Sequence, residues 1–386
     1  MLRPPGEGSA GGATAVIAAD AILRANPAYE LVSLERLAAE ERAVLNGAAG
    51  EDDLYGLLRP REGTALAPRS ASTSVALLVL SLAEPGPLPA FAAKSLGGGA
   101  VGTIERLVLD GVLELDVDGR FVSGAAALDE AGEPERLGTV AELSLEAARH
   151  VSALEGVAPE LLALRLYCYG RRPLTPSLQA RFPDEDSVAR FLQVDRAEAQ
   201  WTEVDAEDGG AWRSWRPRGL SAPRGRAAAG FKLYVAPELD ALPDAFAPVA
   251  ETLAGTPSVL GFKVARDVAG LCRPDKLVAY FQRFEDLRAA VPRLRERLGA
   301  MTAQPVPFTG EVAADGLLSW GVDPLPSETD GQSWRLWLAI RLAEYIVEAR
   351  LEGADEPWRF AIERLRLDGI DTTAWAPFST GWDGSS

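Results

Sequence analysis

Lys232, Tyr234, Lys263, Arg266 and Arg273 crowd into one stretch of this chain, and Lys276 and Tyr280 follow closely. Guanidiniums match the oxygens of a phosphate in a bidentate fork, and an ammonium adds a compact point charge. Two amines, a phenol and two guanidiniums brought to one place suit an anion, and a phosphate in particular.

Three short apolar segments must position them. Phe231–Val235 reads FKLYV, Val259–Val264 reads VLGFKV, and a third strand is expected at about Lys276–Phe281, after a loop holding Arg266 and Arg273. Side chains alternate across a strand, so Lys232 and Tyr234 share one face while Phe231, Leu233 and Val235 take the other. If Lys263 sits beside them, the sheet displays its cations together. Asp275 is placed to orient Arg273 or Lys276. Thr309 and Ser333 offer hydroxyls, though turn and cap roles fit them equally. A strand lysine can also simply run along a sheet edge with its amine in water.

The bulk numbers narrow the classes. Acids outnumber bases 56 to 39, for a net charge of −17, which argues against nucleic acid as the main partner. Local basic runs survive this balance: residues 212–232 hold six bases and no acid. Cys168 and Cys272 are the two cysteines and His150 the one histidine, so neither a disulfide framework nor an imidazole metal site is expected. No signal-length or membrane-spanning apolar run is present, and a cytoplasmic location fits. No Gly-rich phosphate loop follows a strand, and the triplet Gly97–Gly99 stands alone, so no nucleotide or other cofactor is expected.

Along the chain, residues 1–15 are Pro/Gly-rich and read as disordered. A short helix is expected over 16–26, strands over Tyr29–Leu37 and Leu54–Pro60, and a helix over Ser72–Leu82 capped by Ser72, Thr73 or Ser74. Helix Val101–Leu109 precedes a hairpin turning at Asp118-Gly119. Helix, loop, helix, hairpin is the order of a winged helix. The acidic hairpin (Asp110, Glu114, Asp116, Asp118) speaks against DNA, and by fold analogy the region is similar to the domains that hold leader peptides in peptide-maturation enzymes. Residues 125–140 read as a linker. Two helices over 140–168 break near Gly156–Pro159, and a short helix covers Ser187–Val194. Residues 201–229, with Trp201, Trp212 and Trp215, read as loop. Glu285–Met301 is an amphipathic helix burying Leu287, Val291, Leu294 and Leu298. Gln304–Pro326 reads as a long loop. Ser333 opens a core helix to Leu351, with Trp337, Ile340, Leu342 or Ala343, Ile346 and Val347 on its apolar face, and a last helix spans about Trp358–Leu367.

The order of Phe231-Lys232-Leu233-Tyr234-Val235, Gly261-Phe262-Lys263-Val264, Arg273-Pro274-Asp275, Ala279-Tyr280-Phe281, Pro307-Phe308-Thr309, Gly316-Leu317 and Ser333-Trp334 resembles the Hop-type effector domain. That domain, named from plant-pathogen type III effectors, also occurs in class V lanthipeptide and thioamitide biosynthesis. The core pattern is similar to the phosphothreonine lyases of effectors and to the lyase domains of class III and IV lanthipeptide synthetases. The resemblance covers the C-terminal 160 or so residues and implies Lys263 as base, Lys232 and Arg273 as phosphate holders, and Tyr280 as support. Those lyases carry His where this chain has Tyr234, so Tyr234 stands in the place of the general acid. Where the Hop-type domain tends to carry a basic residue beyond the serine, this chain has Leu338, with Arg335 and Arg341 nearby.

The expectation is an α+β protein. Residues 16–130 form a winged-helix-like docking domain, and residues 136–386 form a lyase-like domain whose small antiparallel or mixed sheet is flanked by helices. The resemblance implies elimination of phosphate from phosphothreonine or phosphoserine in a ribosomally made precursor peptide, phosphorylated first by a separate kinase-like partner. Such a reaction needs a strong base for the α-proton, cations for the leaving dianion and an acid at the departing oxygen. Lys276 and Arg266 join the phosphate holders in this reading. A non-catalytic holder of a leader or phosphorylated peptide is the competing reading, and a secreted effector a third.

Overall fold

The computed structural model describes residues 17–18, 20–45, 53–64, 66–95, 100–128, 137–204, 210–218, 230–324 and 332–377; the segment read as disordered, 1–15, lies outside them. The protein is mixed α+β and divides into two compact units. The described residues before 129 pack with 342–371, and those of 137–341 form the larger unit with 372–376.

The first unit holds two antiparallel sheets. One joins β2 (Tyr29–Ser33), β3 (Leu54–Pro60) and β4 (Arg69–Ser72). The other runs β5 (Gly86–Pro87), β1 (Ile22–Ala25), β6 (Leu113–Val117), β7 (Arg120–Val122). The expected helix over 16–26 is thus replaced by a strand at its end: Leu23 pairs with Gly86 on one side and Leu115 on the other. Pairing along both edges overrides local propensity there. Its helices are α1 (Ala39–Val44), α2 (Thr73–Ser81), α3 (Ala90–Ser95), α4 (Ala100–Leu109) and α5 (Ala125–Leu128). The Ser72 hydroxyl caps α2 by accepting from the Val75 amide. Asp118 and Gly119 both take positive φ at the β6–β7 turn, the geometry a two-residue hairpin needs. A buried cluster of Leu23, Leu78, Ile104, Val108 and Leu113 is closed by Phe360 from helix Pro357–Leu367.

The larger unit is built on one seven-stranded antiparallel sheet. Its strands are β8 (Trp201–Val204), β9 (Trp212–Pro217), β10 (Phe231–Val235), β11 (Val259–Ala265), β12 (Leu277–Phe281), β13 (Gly310–Glu311) and β14 (Leu318–Val322). Their spatial order is β13-β14-β10-β12-β11-β9-β8, which puts β12 at the centre. Two stretches expected to be loop, 201–229 and 304–326, supply four of these strands among their described residues. β9 and β14 pair beside the β11 and β10 the sequence marked.

One face of the sheet is the core. Leu233, Phe262, Val264, Ala279, Phe281, Trp215 and Trp320 point into it. They pack against α9 (Glu185–Leu192), α10 (Leu242–Ala254) and α12 (Phe284–Leu298), and the Phe262 ring stacks on Trp215 at 4.9 Å. Leu287, Val291, Leu294 and Leu298 of α12 are all buried, as the spacing of three and four requires. The unit also contains α6 (Thr139–Ser152), α7 (Pro159–Tyr167), α8 (Pro176–Arg181), α11 (Val268–Leu271) and the start of α13 (Trp334–Leu351). α13 differs from expectation in register. Its early buried stripe is Trp334, Arg335, Leu338 and Ala339, while Trp337 and Ile340 are half-buried.

Candidate functional site

The second face of the sheet carries the polar groups. Lys232 pairs with Tyr280, and Tyr234 with Val278, so both β10 residues lie on the Tyr280 side of β12. Lys263 pairs with the same Val278 from β11, and with Ser214 on β9. Tyr234 and Lys263 therefore flank Val278, two strand spacings or about 10 Å apart at the backbone. That gap can be spanned by a long amine from one side and a phenol from the other.

Aromatic rings link the cations into a chain. The Lys232 and Lys263 amines lie 5.6 and 5.8 Å from the Tyr280 ring centroid. Lys263 and Arg273 share Trp212, at 4.2 and 5.1 Å. Arg273 and Arg335 share Tyr167, at 5.4 and 5.0 Å. Each contact holds a cation near a ring, and Arg273 also donates to the Tyr167 hydroxyl at 2.8 Å.

Two carboxylates sit within this chain. Lys232 donates to Asp323 at 2.7 Å, and the same carboxylate accepts the Trp334 amide at the start of α13. Asp275 takes a bidentate fork from Arg273, at 2.8 and 2.9 Å, and a third bond from Arg335 at 2.7 Å. Burial would raise the Asp275 carboxyl, but the Arg335 and Arg273 guanidiniums, with Lys263 beyond them, hold it well below the usual carboxylate range. Arg335 is wholly buried and completes its bonds on the Pro307 and Tyr167 carbonyls. The cations expected to stand ready for an anion are thus partly committed already: Lys232 and Arg273 each hold a carboxylate.

Tyr234 is buried with Ala236, Val278 and Val306, Tyr280 packs against them, and the charges of Arg335, Asp323 and Asp275 act on it. Burial pushes its phenol well above the ordinary value, so it is protonated across the physiological range. Behind it, Thr309 donates to the Val306 carbonyl and bonds Ser319, the residue opposite Tyr234 on β14. Gly321, opposite Lys232, has no room for a side chain, because a Cβ would stand 2.8 Å from the Trp334 ring.

Two of the expected phosphate holders are not brought to this cluster. Arg266 bonds Glu185 at 2.6 Å. Lys276 is wholly buried and donates to the Pro237 carbonyl at 2.8 Å. Burial pushes the Lys276 amine down to about 7. Below that value the fold carries a buried charge; above it the unfolded chain binds the extra proton, so stability rises with pH until the unfolded lysine also titrates. The stability of wild type minus that of Lys276→Met is expected to climb by roughly 1.4 kcal/mol per pH unit between about 7 and 10 in urea melts.

Sequence reasoning did not assign Arg335, Tyr167, Trp212 or Asp323 to the site. The signal for Arg335 was a charge two residues beyond Ser333, in place of the basic residue sought near Leu338. Trp212 was visible only as one aromatic among arginines. Among the described residues, no group of three or more histidines, cysteines or acids is placed to hold a metal, and no helix is long and apolar enough to cross a membrane.

Among solved structures, an effector protein from Pseudomonas syringae pv. syringae strain 61 is similar over 63% of this chain and 99% of its own, at 16% identity and a TM-score of 0.41. The phosphothreonine lyase OspF from Shigella flexneri is similar over 39% of this chain and 84% of its own, at 14% identity and a TM-score of 0.28. The phosphothreonine lyase SpvC from Salmonella covers 51% of this chain and 96% of its own, at 13% and 0.28. No family model and no curated protein matches the chain.

Proposed function

We propose that the larger unit eliminates phosphate from phosphothreonine or phosphoserine in a peptide, leaving a dehydroamino acid. The observation that carries this reading is the shared sheet face: Lys263 and Tyr234 flank Val278, with Lys232 and Arg273 joined to Lys263 through Tyr280 and Trp212. The neutral Lys263 amine takes the α-proton, the electron pair forms the Cα=Cβ bond, and the Cβ–O bond breaks toward phosphate. The Tyr234 O–H gives its proton to the departing oxygen, and Lys232 and Arg273 stabilise the dianion as it leaves. The Lys263 ammonium and the Tyr234 phenolate then exchange their proton through solvent. Tyr280 and Trp212 hold the cations in place, and Asp275 and Asp323 orient them. The peptide is a ribosomal precursor, phosphorylated by a separate kinase-like enzyme, and the first unit is the docking module for its leader.

Tyr234→Phe removes the acid and keeps the ring. Its kcat on a phosphothreonine peptide is expected to fall about 10²-fold with KM unchanged. An unchanged kcat would assign the leaving-group proton elsewhere.

One observation favours a second reading, a phosphopeptide-binding protein without catalysis. Tyr234 is 3% exposed, and Lys232 and Arg273 rest on carboxylates, so a substrate must displace Asp275 or Asp323 to reach them. Incubation with a phosphothreonine peptide separates the two: binding without loss of phosphate supports the holder, and loss of phosphate supports the lyase.

A further inference from the structure

All three exposed large apolar side chains of the larger unit, among its described residues, lie between 161 and 174. Leu161 and Leu164 are 54% and 53% exposed on α7, and Leu174 follows at 39%. Residues three and four apart share a helix face, so Leu161, Leu164, Arg165 and Cys168 form one stripe. The helix carries Glu160 in its first turn and Arg165 in its last. It ends at a small cleft lined by Tyr167, Cys168, Arg171, Arg273, Pro274 and Asp275. Arg273, which lines that cleft with Asp275, is the member of the cation chain between Lys263 and Arg335.

From this continuity we infer that the exposed face of α7 docks the substrate peptide beside its phosphorylated residue, with apolar side chains on Leu161 and Leu164 and the phosphate at Arg273. The inference rests on the phosphate site proposed above and adds its sequence preference. Charge selects the occupant: an apolar track leading into guanidiniums fits an apolar peptide segment that carries a phosphate. Spacing sets the register. Leu161 stands six helical residues, about 9 Å, from Tyr167. An extended peptide covers that length in about three residues. Leu164 stands about 4.5 Å away by the same rise, so the docked side chains belong to positions about one to three residues from the phosphorylated one.

The test uses fluorescein-labelled phosphothreonine peptides with two leucines at those positions, or with serines in their place, and the full-length protein. Fluorescence anisotropy is expected to show the leucine peptide binding about tenfold tighter to wild type. In Leu161→Ser/Leu164→Ser, and in the independent variant Leu164→Glu, that preference disappears, while Arg273→Ala weakens both peptides alike. Surface substitutions at half-exposed leucines leave the fold intact, checked by circular dichroism. Equal binding of the two peptides by wild type, no binding of either, or a preference that survives both α7 variants overturns the inference. Failure of wild type to release phosphate while the preference persists overturns the lyase reading and leaves the docking face standing.

Discussion

Lys263→Ala is expected to lower phosphate elimination by about 10²–10⁴-fold, the range general base catalysis supplies. Lys263 is half-buried, and its amine lies against Tyr280 and Trp212. Binding of the phosphopeptide falls far less, because Lys232 and Arg273 stay in place. Lys263→Arg separates charge from basicity: the guanidinium keeps the cation but cannot give up its proton at neutral pH. A rescue of binding without rescue of turnover identifies the base. Recovery of turnover by arginine would show that the position needs only positive charge. Single-turnover kinetics with phosphate release as readout distinguishes these outcomes.

Asp275→Asn is expected to destabilise the larger unit by about 3–5 kcal/mol, because it strands the buried Arg335 guanidinium and unties the half-buried Arg273. Asp275 holds Arg273 through a fork and Arg335 through a third bond, and Arg335 is 1% exposed. In a domain of this size the loss lowers the melting temperature by roughly 10 °C. The pH dependence carries a second signature. A carboxyl held below its unfolded value contributes stability that is complete above the unfolded pKa of about 3.9 and is lost as pH falls through the folded one. Wild type therefore loses this contribution below about pH 4, whereas Asp275→Asn lacks it at every pH. Equal melting temperatures at pH 7 would show that the fork is not structural.

The sequence made the central strand pattern legible because alternation is a local property. In Phe231-Lys232-Leu233-Tyr234-Val235 the two faces separate by inspection, and β10 obeys them. The amphipathic α12 was legible for the same reason. β9 was not, because Trp212-Arg213-Ser214-Trp215-Arg216-Pro217 mixes bulky and charged residues and gains its strand character from pairing with β11. β14 hides between Gly316 and Pro324, and Gly321 breaks its run of side chains. The start of α13 is apolar nearly all round, from Trp334 to Ile340, so period alone could not fix which side is buried. That ambiguity concealed Arg335, a charge on the buried stripe whose partner Asp275 lies 60 residues away in sequence. Tertiary pairing of this kind is what separates the residues that were read correctly from those that were missed.

Ion pairing also changes how the site must work. Asp323 pairs with Lys232, and Asp275 with Arg273 and Arg335, so in the proposed reaction these carboxylates give way as phosphate enters. Exchange of a carboxylate for a phosphate at a guanidinium keeps the bidentate geometry and adds charge.

Mass spectrometry of a phosphothreonine peptide incubated with the purified protein addresses the central claim most directly. The account predicts a product lighter by the elements of phosphoric acid, with free phosphate appearing in step and neither appearing with Lys263→Ala. An unchanged peptide mass, while the peptide still binds, would contradict it.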